Sequence, residues 1–78
     1  MRITDDQAIA DIADLLYLEP GDLDHEADLR DQGMDSVRVM ELVETWRGAG
    51  VTGIDYIMLA EDQRVTHWLT VLRGLQDT

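Results

Sequence analysis

One serine and two histidines are the side chains of this sequence with the plainest capacity for chemistry. Ser36 is the only serine, the histidines are His25 and His67, and the chain has no cysteine. A Ser–His–Asp triad is compatible with these residues, because such triads are defined by geometry and not by sequence order. A chain of 78 residues, however, has little scaffold for an oxyanion hole and a substrate pocket together. We therefore expect no catalytic residue, and a hydrolase that uses Ser36 is the weakest interpretation.

Metal and nucleotide sites lack their usual patterns. The two histidines are far apart, without the H-x-x-x-H spacing that places two metal ligands on one helix face. The acidic stretch that starts at Asp22 has Ala27 where a calcium loop needs glycine, and Gly33 where it needs a bidentate glutamate. Neither glycine-rich nucleotide motif occurs. We expect a solvated acidic loop and no metal site.

Ser36 stands where a helix is predicted to begin. Asp35 is a favourable N-cap, and Gly33 permits the sharp turn that leads into the helix. A serine in this position projects its hydroxyl from the surface. The free N–H groups and the dipole of the helix start also favour an attached phosphodiester. The simpler interpretation is an ordinary helix-terminal serine, which is very common.

Hydrophobic periodicity predicts four helices around Ser36. The first covers residues 4–18, where Thr4 and Gln7 suit a capping box and Pro20 stops the helix. The second begins at residues 35–36, with Val39, Met40, Val43 and Trp46 as its apolar face widened by Leu42, and ends at the Gly-Ala-Gly of residues 48–50. A short third helix is expected from Tyr56 to about Glu61, and a fourth from residue 65 or 66 to about residue 75.

These elements predict an all-α fold, a four-helix bundle of one domain over residues 1–78. The third helix is short, and a long loop separates the first two helices. Residues 19–34 of that loop have no sustained period, so it needs side chains that hold it to the core. We expect Leu23, Ala27 and Leu29 to be those anchors.

The charge of the chain restricts its partners. Seventeen acidic residues against six arginines and no lysine give a formal net charge of −11. This disfavours nucleic acid and anionic membranes, and it favours enzymes with basic surfaces. No apolar run approaches the roughly 18 residues of a membrane span, and we find no signal peptide. The expected location is the cytoplasm.

Residues 33–36, Gly-Met-Asp-Ser, resemble the phosphopantetheine attachment site of acyl and peptidyl carrier proteins, Gly-[Leu/Met]-Asp-Ser. The order of the predicted elements is similar to that family along nearly the whole chain. The resemblance implies a carrier-protein bundle in which 4′-phosphopantetheine is attached to Ser36, beside Asp35 and Gly33. An unmodified acidic interaction module is the alternative from another functional class, but it does not account for these four residues.

A finer resemblance is to the aryl carrier proteins of siderophore and related nonribosomal peptide pathways. It rests on residues 35–40 (Asp-Ser-Val-Arg-Val-Met), on Trp46 with Arg47, and on residues 54–60 (Ile-Asp-Tyr-Ile-Met-Leu-Ala). Residues 62–65 depart from the Asn-Pro-Thr-Ile that is often found in relatives. Aryl carriers are often fused to an isochorismatase domain. Because the 78 residues of this sequence have no room for one, the resemblance implies a free-standing carrier or an excised domain. An amino-acyl or polyketide carrier is the alternative within the family.

The resemblance also implies the partners. A phosphopantetheinyl transferase would attach the arm, an aryl-acid adenylation enzyme would load it, and a condensation or other synthase domain would receive the acyl group. The carrier itself would not be an enzyme, and it is expected to act as a monomer. Its partner surface should surround Ser36 on the second and third helices, with Arg38, Met40, Tyr56 and Ala60 as the expected contacts.

Overall fold

Four α-helices pack around one apolar core in the computed structural model, which describes residues 2–77. The helices are α1 (Asp5–Leu15), α2 (Ser36–Gly48), α3 (Tyr56–Ala60) and α4 (Val65–Gln76). Two short 3₁₀ helices, Pro20–Asp22 and Leu29–Gln32, lie in the connection between α1 and α2, and the described residues contain no strand. The predicted all-α bundle, with its short third helix and long first connection, is therefore confirmed. None of the described helices has the length and apolarity needed to cross a membrane.

Two tryptophans form the centre of the core. Trp46 of α2 and Trp68 of α4 are both completely buried. A buried indole needs a partner for its N–H group, and each has one. Trp46 Nε1 donates to Asp11 Oδ2 at 3.0 Å, and Trp68 Nε1 donates to the carbonyl oxygen of Leu59 at 2.8 Å. The first bond connects α2 to α1, and the second connects α4 to α3.

Helix α1 begins as predicted and ends earlier. Thr4 is its N-cap and accepts a hydrogen bond from the backbone N–H of Gln7 at 3.1 Å. The helix stops at Leu15 and not at residue 18, because Tyr17 adopts the left-handed conformation with φ of 57°. The N–H of Leu18 then bonds the carbonyl oxygen of Ala13 at 3.0 Å. This closing geometry normally uses glycine, and another residue there costs about 1–2 kcal/mol.

The long connection is held by the side chains of two of the three predicted anchors. Leu23 and Leu29 are buried in the core, whereas Ala27 is only partly buried and lies outside the core cluster. Backbone bonds replace the third anchor: the N–H of Leu29 bonds the carbonyl oxygen of Gln63 at 2.6 Å, and the N–H of Thr66 bonds that of His25 at 3.3 Å. The connection is therefore fixed to the start of α4. The described residues contain no group of three or more His, Cys, Asp or Glu side chains suited to a metal ion.

Candidate functional site

The four residues that lead into α2 have separate structural roles. Gly33 has φ of 108°, a conformation that other residues rarely adopt. A Cβ atom there would meet only Leu16 Cδ2 at 3.7 Å, so the backbone angle, and not lack of space, requires glycine. Met34 is 4% exposed and anchors the turn in the core. Asp35 caps the helix, and Ser36 is its first residue.

Two hydrogen bonds from Arg38 hold the Asp35 side chain in its capping position. Its Oδ1 accepts from the backbone N–H of Arg38 at 2.9 Å, and its Oδ2 accepts from Arg38 Nη1 at 2.5 Å. The backbone N–H and the guanidinium charge of Arg38 hold the pKa of the Asp35 carboxyl below its usual value. Asp35 is therefore ionised at neutral pH, and both of its oxygens are occupied.

Ser36 is exposed at the N-terminus of the longest helix of the described chain. Its hydroxyl can be reached by another enzyme, and the free N–H groups of the helix start favour negative charge beside it. Neither histidine joins Ser36 in a triad: among the described residues, no hydrogen bond connects His25 or His67 to it. His67 Nε2 instead lies 3.3 Å from the carbonyl oxygen of Met58, between α4 and α3. The arrangement suits modification of Ser36 better than catalysis by it.

Arg38 has contacts within the chain as well as a place near Ser36. Besides Asp35, it reaches the end of α1, where its Nε donates to the carbonyl oxygen of Leu15 at 3.1 Å. The side chain is partly buried, with 35% of its surface exposed. Arg38 therefore holds the start of α2 against the end of α1, a role that the sequence pattern did not reveal.

Exposed apolar side chains lie on the two helices where a partner surface was expected. Met40 is 54% exposed, so its predicted place on the apolar face of α2 is wrong, and Leu42 takes that place in the core. Met40 lies one helical turn after Ser36 and thus on the same side of α2. Val37 and Ile57 are 62% and 64% exposed. Sequence reasoning missed both, although the all-apolar run of residues 56–60 signalled that part of α3 lacks a partner.

The other two expected contacts are less accessible. Tyr56 and Ala60 of α3 are partly buried, and Tyr56 packs against the core. Helix α3 itself packs against α2 and α4, which places it beside the helix that carries Ser36. We name Val37, Met40 and Ile57 the exposed apolar set. It differs from the predicted contacts in two of its three members.

A family model described as a phosphopantetheine attachment site matches residues 6–60, from α1 through α3. The chain belongs to the phosphopantetheine-binding carrier family. Proteins of this family bear a covalently attached 4′-phosphopantetheine group, are generally not catalysts themselves, and work with phosphopantetheinyl transferases and synthase enzymes. The carrier fold described above, with a serine exposed at the start of α2, fits that group.

Several curated proteins are similar to this carrier. The acyl carrier protein ScoB of Streptomyces coeruleorubidus is 36% identical over 67 residues, which cover 86% of this chain and 78% of ScoB. An isochorismatase of Bacillus subtilis is 43% identical over 61 residues, 78% of this chain but only 19% of that protein. The phenyloxazoline synthase MbtB of a Mycobacterium species is 36% identical over 67 residues, 85% of this chain and 6% of the synthase. The carrier thus spans about a fifth of the isochorismatase and less of the synthase.

The arginines of the carrier are engaged within the chain. Arg47 donates from Nε to the carbonyl oxygen of Ile54 at 2.9 Å, and the other five form ion pairs with aspartates. Those pairs are Arg2–Asp77, Arg30–Asp28, Arg38–Asp35, Arg64–Asp62 and Arg73–Asp5. Since the chain has 17 acidic residues, most acidic side chains have no arginine left to neutralise them. The surface offered to another protein is strongly negative.

Proposed function

We propose that Ser36 is the attachment residue and that the carrier holds an aryl acid as a thioester. The observation that carries this proposal is the exposure of the only serine at the first position of α2, directly after the capping Asp35. Modification would join the Ser36 Oγ to the β-phosphorus of coenzyme A, break the pyrophosphate bond and release adenosine 3′,5′-bisphosphate, while the hydroxyl proton passes to a base of the transferase. When attached, the arm supplies a terminal thiol that bears the acyl group.

The aryl class is supported by two kinds of likeness. Residues 35–40 and 54–60 resemble aryl carriers, and the name of the synthase similar to this chain, phenyloxazoline synthase, denotes a product with a phenyl ring. The likeness to ScoB, named an acyl carrier protein, favours the second candidate, an amino-acyl or polyketide carrier. An unmodified interaction module leaves the Gly33–Ser36 turn without a function.

The partners follow from this proposal. A phosphopantetheinyl transferase modifies Ser36, an aryl-acid adenylation enzyme loads the arm, and a condensation or other synthase domain takes the acyl group. We propose that these enzymes contact the exposed apolar set together with Arg38, Tyr56 and Ala60. Apolar anchors near the modified residue give contact area, and the negative surface favours basic partners. We also propose that the carrier acts in the cytoplasm as a monomer and that it is not itself an enzyme.

Modification is tested by mass spectrometry after incubation with coenzyme A and a broad-specificity transferase. One phosphopantetheine should be added, and trypsin should place it on the peptide of residues 31–38, which contains the only serine. Ser36→Ala should remain folded and accept nothing. Thr45→Ala, which removes an exposed hydroxyl from the same helix, is the matched control and should be modified normally. An unmodified wild type, or a modified Ser36→Ala, would refute the assignment.

The class of acyl group is tested separately on the modified carrier. Adenylating enzymes specific for aryl acids and for amino acids, and a malonyl-transferring enzyme, would each be offered the carrier, and its intact mass would be recorded. We expect loading by the aryl-acid enzyme to be the fastest. Faster loading with an amino-acyl or malonyl group would not affect the assignment of Ser36 as the attachment residue. It would show that the aryl class is wrong and favour the second candidate, an amino-acyl or polyketide carrier.

A further inference from the structure

Two side chains of α4 bind the carboxyl end of α3. The last carbonyl groups of a helix have no N–H partner within that helix. His67 Nε2 lies 3.3 Å from the carbonyl oxygen of Met58, and Trp68 Nε1 donates to that of Leu59 at 2.8 Å. Because a carbonyl oxygen only accepts, Nε2 is the ring nitrogen of His67 that carries the proton in this bond. Consecutive residues of α4 therefore satisfy consecutive carbonyl groups of α3.

We propose that His67 is a positioning residue, whose bond to Met58 holds α3 in the rotation that presents Ile57 to partner enzymes. The proposal rests on the proposed function, in which Ile57 belongs to the partner surface. It assigns a part in partner recognition to a residue of α4, the helix on which no partner contact was expected.

Helix α3 needs such support because it cannot fix its own position. It has five residues, all apolar in side chain, and helices shorter than about 12–15 residues are marginal in water by themselves. Its N-terminus is capped by Asp55, whose Oδ1 accepts from the N–H of Met58 at 3.0 Å. This cap belongs to the same segment, so it does not fix α3 relative to α2. The bonds from α4 come from outside the segment and can do so.

The two bonds together define the rotation of α3. Successive residues of an α-helix are about 100° apart around its axis, so bonds to two neighbouring carbonyl groups hold the helix at two different points. The indole of Trp68 is completely buried at the centre of the core, and its loss would damage the fold. His67 is only partly buried. It is therefore the residue whose replacement can change the position of α3 while the core stays intact.

The rotation of α3 matters for the exposed apolar set. Ile57 directly precedes Met58 and is 64% exposed, whereas Leu59 is completely buried. Helix α3 packs against α2, which carries Ser36 and Met40. A different rotation of α3 would change how Ile57 is placed beside Met40, and thus the apolar area that a partner meets near the attachment residue.

Two amide substitutions separate the bond from the ring. The amide nitrogen of His67→Gln is as many bonds from the backbone as Nε2 of histidine, so it can donate to Met58. His67→Asn has the same amide group, but its side chain is one methylene shorter and does not reach. Hydrogen exchange of the ¹⁵N-labelled carrier would be followed by NMR. Amides of residues 58–61 should exchange about fivefold faster in His67→Asn, the equivalent of one lost hydrogen bond, and at the wild-type rate in His67→Gln. Amides of α2 should not change in either variant.

Partner recognition is measured on carriers that have been modified on Ser36. The aryl-acid adenylation enzyme that loads the wild type would be used, with the carrier as the varied substrate. His67→Asn should raise the KM for the carrier about threefold, within the range of residues that act on a site through others. The kcat should not change, because the arm and its thiol are the same. Urea unfolding would show that each variant is folded in the assay, so that loss of folded carrier does not enter the KM.

A double variant tests whether the effect passes through Ile57. In an Ile57→Ala carrier, His67→Asn should raise the KM no further, since the side chain that it positions is gone. Thr70→Ala, an exposed position on α4, should change neither the exchange nor the KM. Additive effects of the two substitutions, equal behaviour of His67→Asn and His67→Gln, or unfolding of the whole carrier by His67→Asn would each overturn the role of His67.

Failure of the proposed function would look different. A carrier that accepts no group on Ser36 would overturn the attachment residue, and a normal KM for Ile57→Ala would remove Ile57 from the partner surface. The second result would also overturn the part of His67 in recognition. Hydrogen exchange of α3 requires neither modification nor a partner, so it decides separately whether His67 holds α3.

Discussion

The indole Nε1 of Trp46 donates a hydrogen bond to Oδ2 of Asp11 at 3.0 Å, joining the completely buried ring of α2 to a carboxylate of α1. The other oxygen of Asp11 accepts from Gln7 Nε2 at 2.8 Å, so each carboxylate oxygen has a donor. Trp46 lies ten residues after Ser36, which is about 15 Å along the helix. The bond therefore stabilises the packing of α1 on α2 at a distance from the site.

Replacement of Asp11 by alanine should destabilise the carrier without changing its chemistry. The buried indole N–H would lose its acceptor, at a cost of about 1–3 kcal/mol in the free energy of unfolding. Asp11→Asn keeps one acceptor oxygen and should cost less. Urea unfolding gives the free energies, and mass spectrometry shows whether Ser36 is still modified.

Glu44→Ala is the control for Asp11→Ala. Glu44 is an exposed acid of α2, so its loss changes the net charge equally and should alter the free energy of unfolding by no more than about 0.5 kcal/mol. Equal effects of the two substitutions would mean that charge, and not the bond to Trp46, governs the stability.

The cap of α2 should make stability depend on pH. The pKa of Asp35 in the folded carrier lies below its usual value of 3.8, chiefly because the backbone N–H of Arg38 bonds the ionised form. The unfolded chain therefore takes up this proton first as the acidity increases. The stabilisation is complete above pH 3.8 and is lost as the pH falls through the folded pKa.

Asp35→Asn isolates that effect, because asparagine caps helices about as well as aspartate but does not titrate there. Urea unfolding would be measured at pH 6 and at several values below about 4. The decrease in stability on acidification should be smaller in Asp35→Asn than in the wild type. Other carboxyls titrate equally in both proteins, so an identical pH dependence would show that Asp35 has the same pKa in the folded and unfolded chains.

Most of the fold could be predicted from local signals. The caps Thr4 and Asp35 each accept the expected backbone hydrogen bond, because a capping side chain acts within three residues of itself. Asp55 caps α3 in the same way. The end of α1 could not be predicted. The helix ends there because Tyr17 adopts a left-handed conformation that its residue type disfavours. No residue beside Tyr17 predicts this conformation.

The candidate site was predictable in its centre and less so at its edges. The roles of Gly33, Asp35 and Ser36 depend only on residues close to them in the sequence. The turn at Gly33, the cap by Asp35 and the exposure of Ser36 are all found as expected. The accessibility of Met40 and Ile57 depends on how α2 and α3 are rotated against the core. The sequence of α3 does not indicate this rotation, because the helix has only five residues and is apolar all round. The contact of Arg38 with Leu15 is likewise tertiary.

Transfer between the carrier and its enzymes should slow as salt is added. The net charge of −11 and the engagement of the arginines leave a negative surface that speeds encounter with a basic partner. The Debye length falls from about 10 Å at 0.1 M to about 3 Å at 1 M, so the second-order rate constant for loading should decline across this range. Single-turnover loading at limiting concentrations measures it. A flat response would assign the contact to apolar packing alone.

The exposed apolar set allows partner contact to be separated from stability. Met40 is 54% exposed and Ile57 is 64% exposed, so Met40→Ala and Ile57→Ala should each change the free energy of unfolding by no more than about 0.5 kcal/mol. Tyr56 packs against the core, and Tyr56→Ala should cost about 0.8–1.5 kcal/mol, half the value of complete burial. Urea unfolding would establish this order first.

The same three variants would then be modified on Ser36 and followed in a single-turnover transfer to the downstream synthase. Met40→Ala and Ile57→Ala should slow transfer at least about fivefold, the effect of an interface residue worth 1 kcal/mol, while their stability stays at that of the wild type. Thr70→Ala, an exposed position on α4, should alter neither property. Normal transfer by both variants would remove the exposed apolar set from the partner surface. Slower transfer accompanied by an equal loss of stability would instead place these side chains among those that pack against the core, as Tyr56 does.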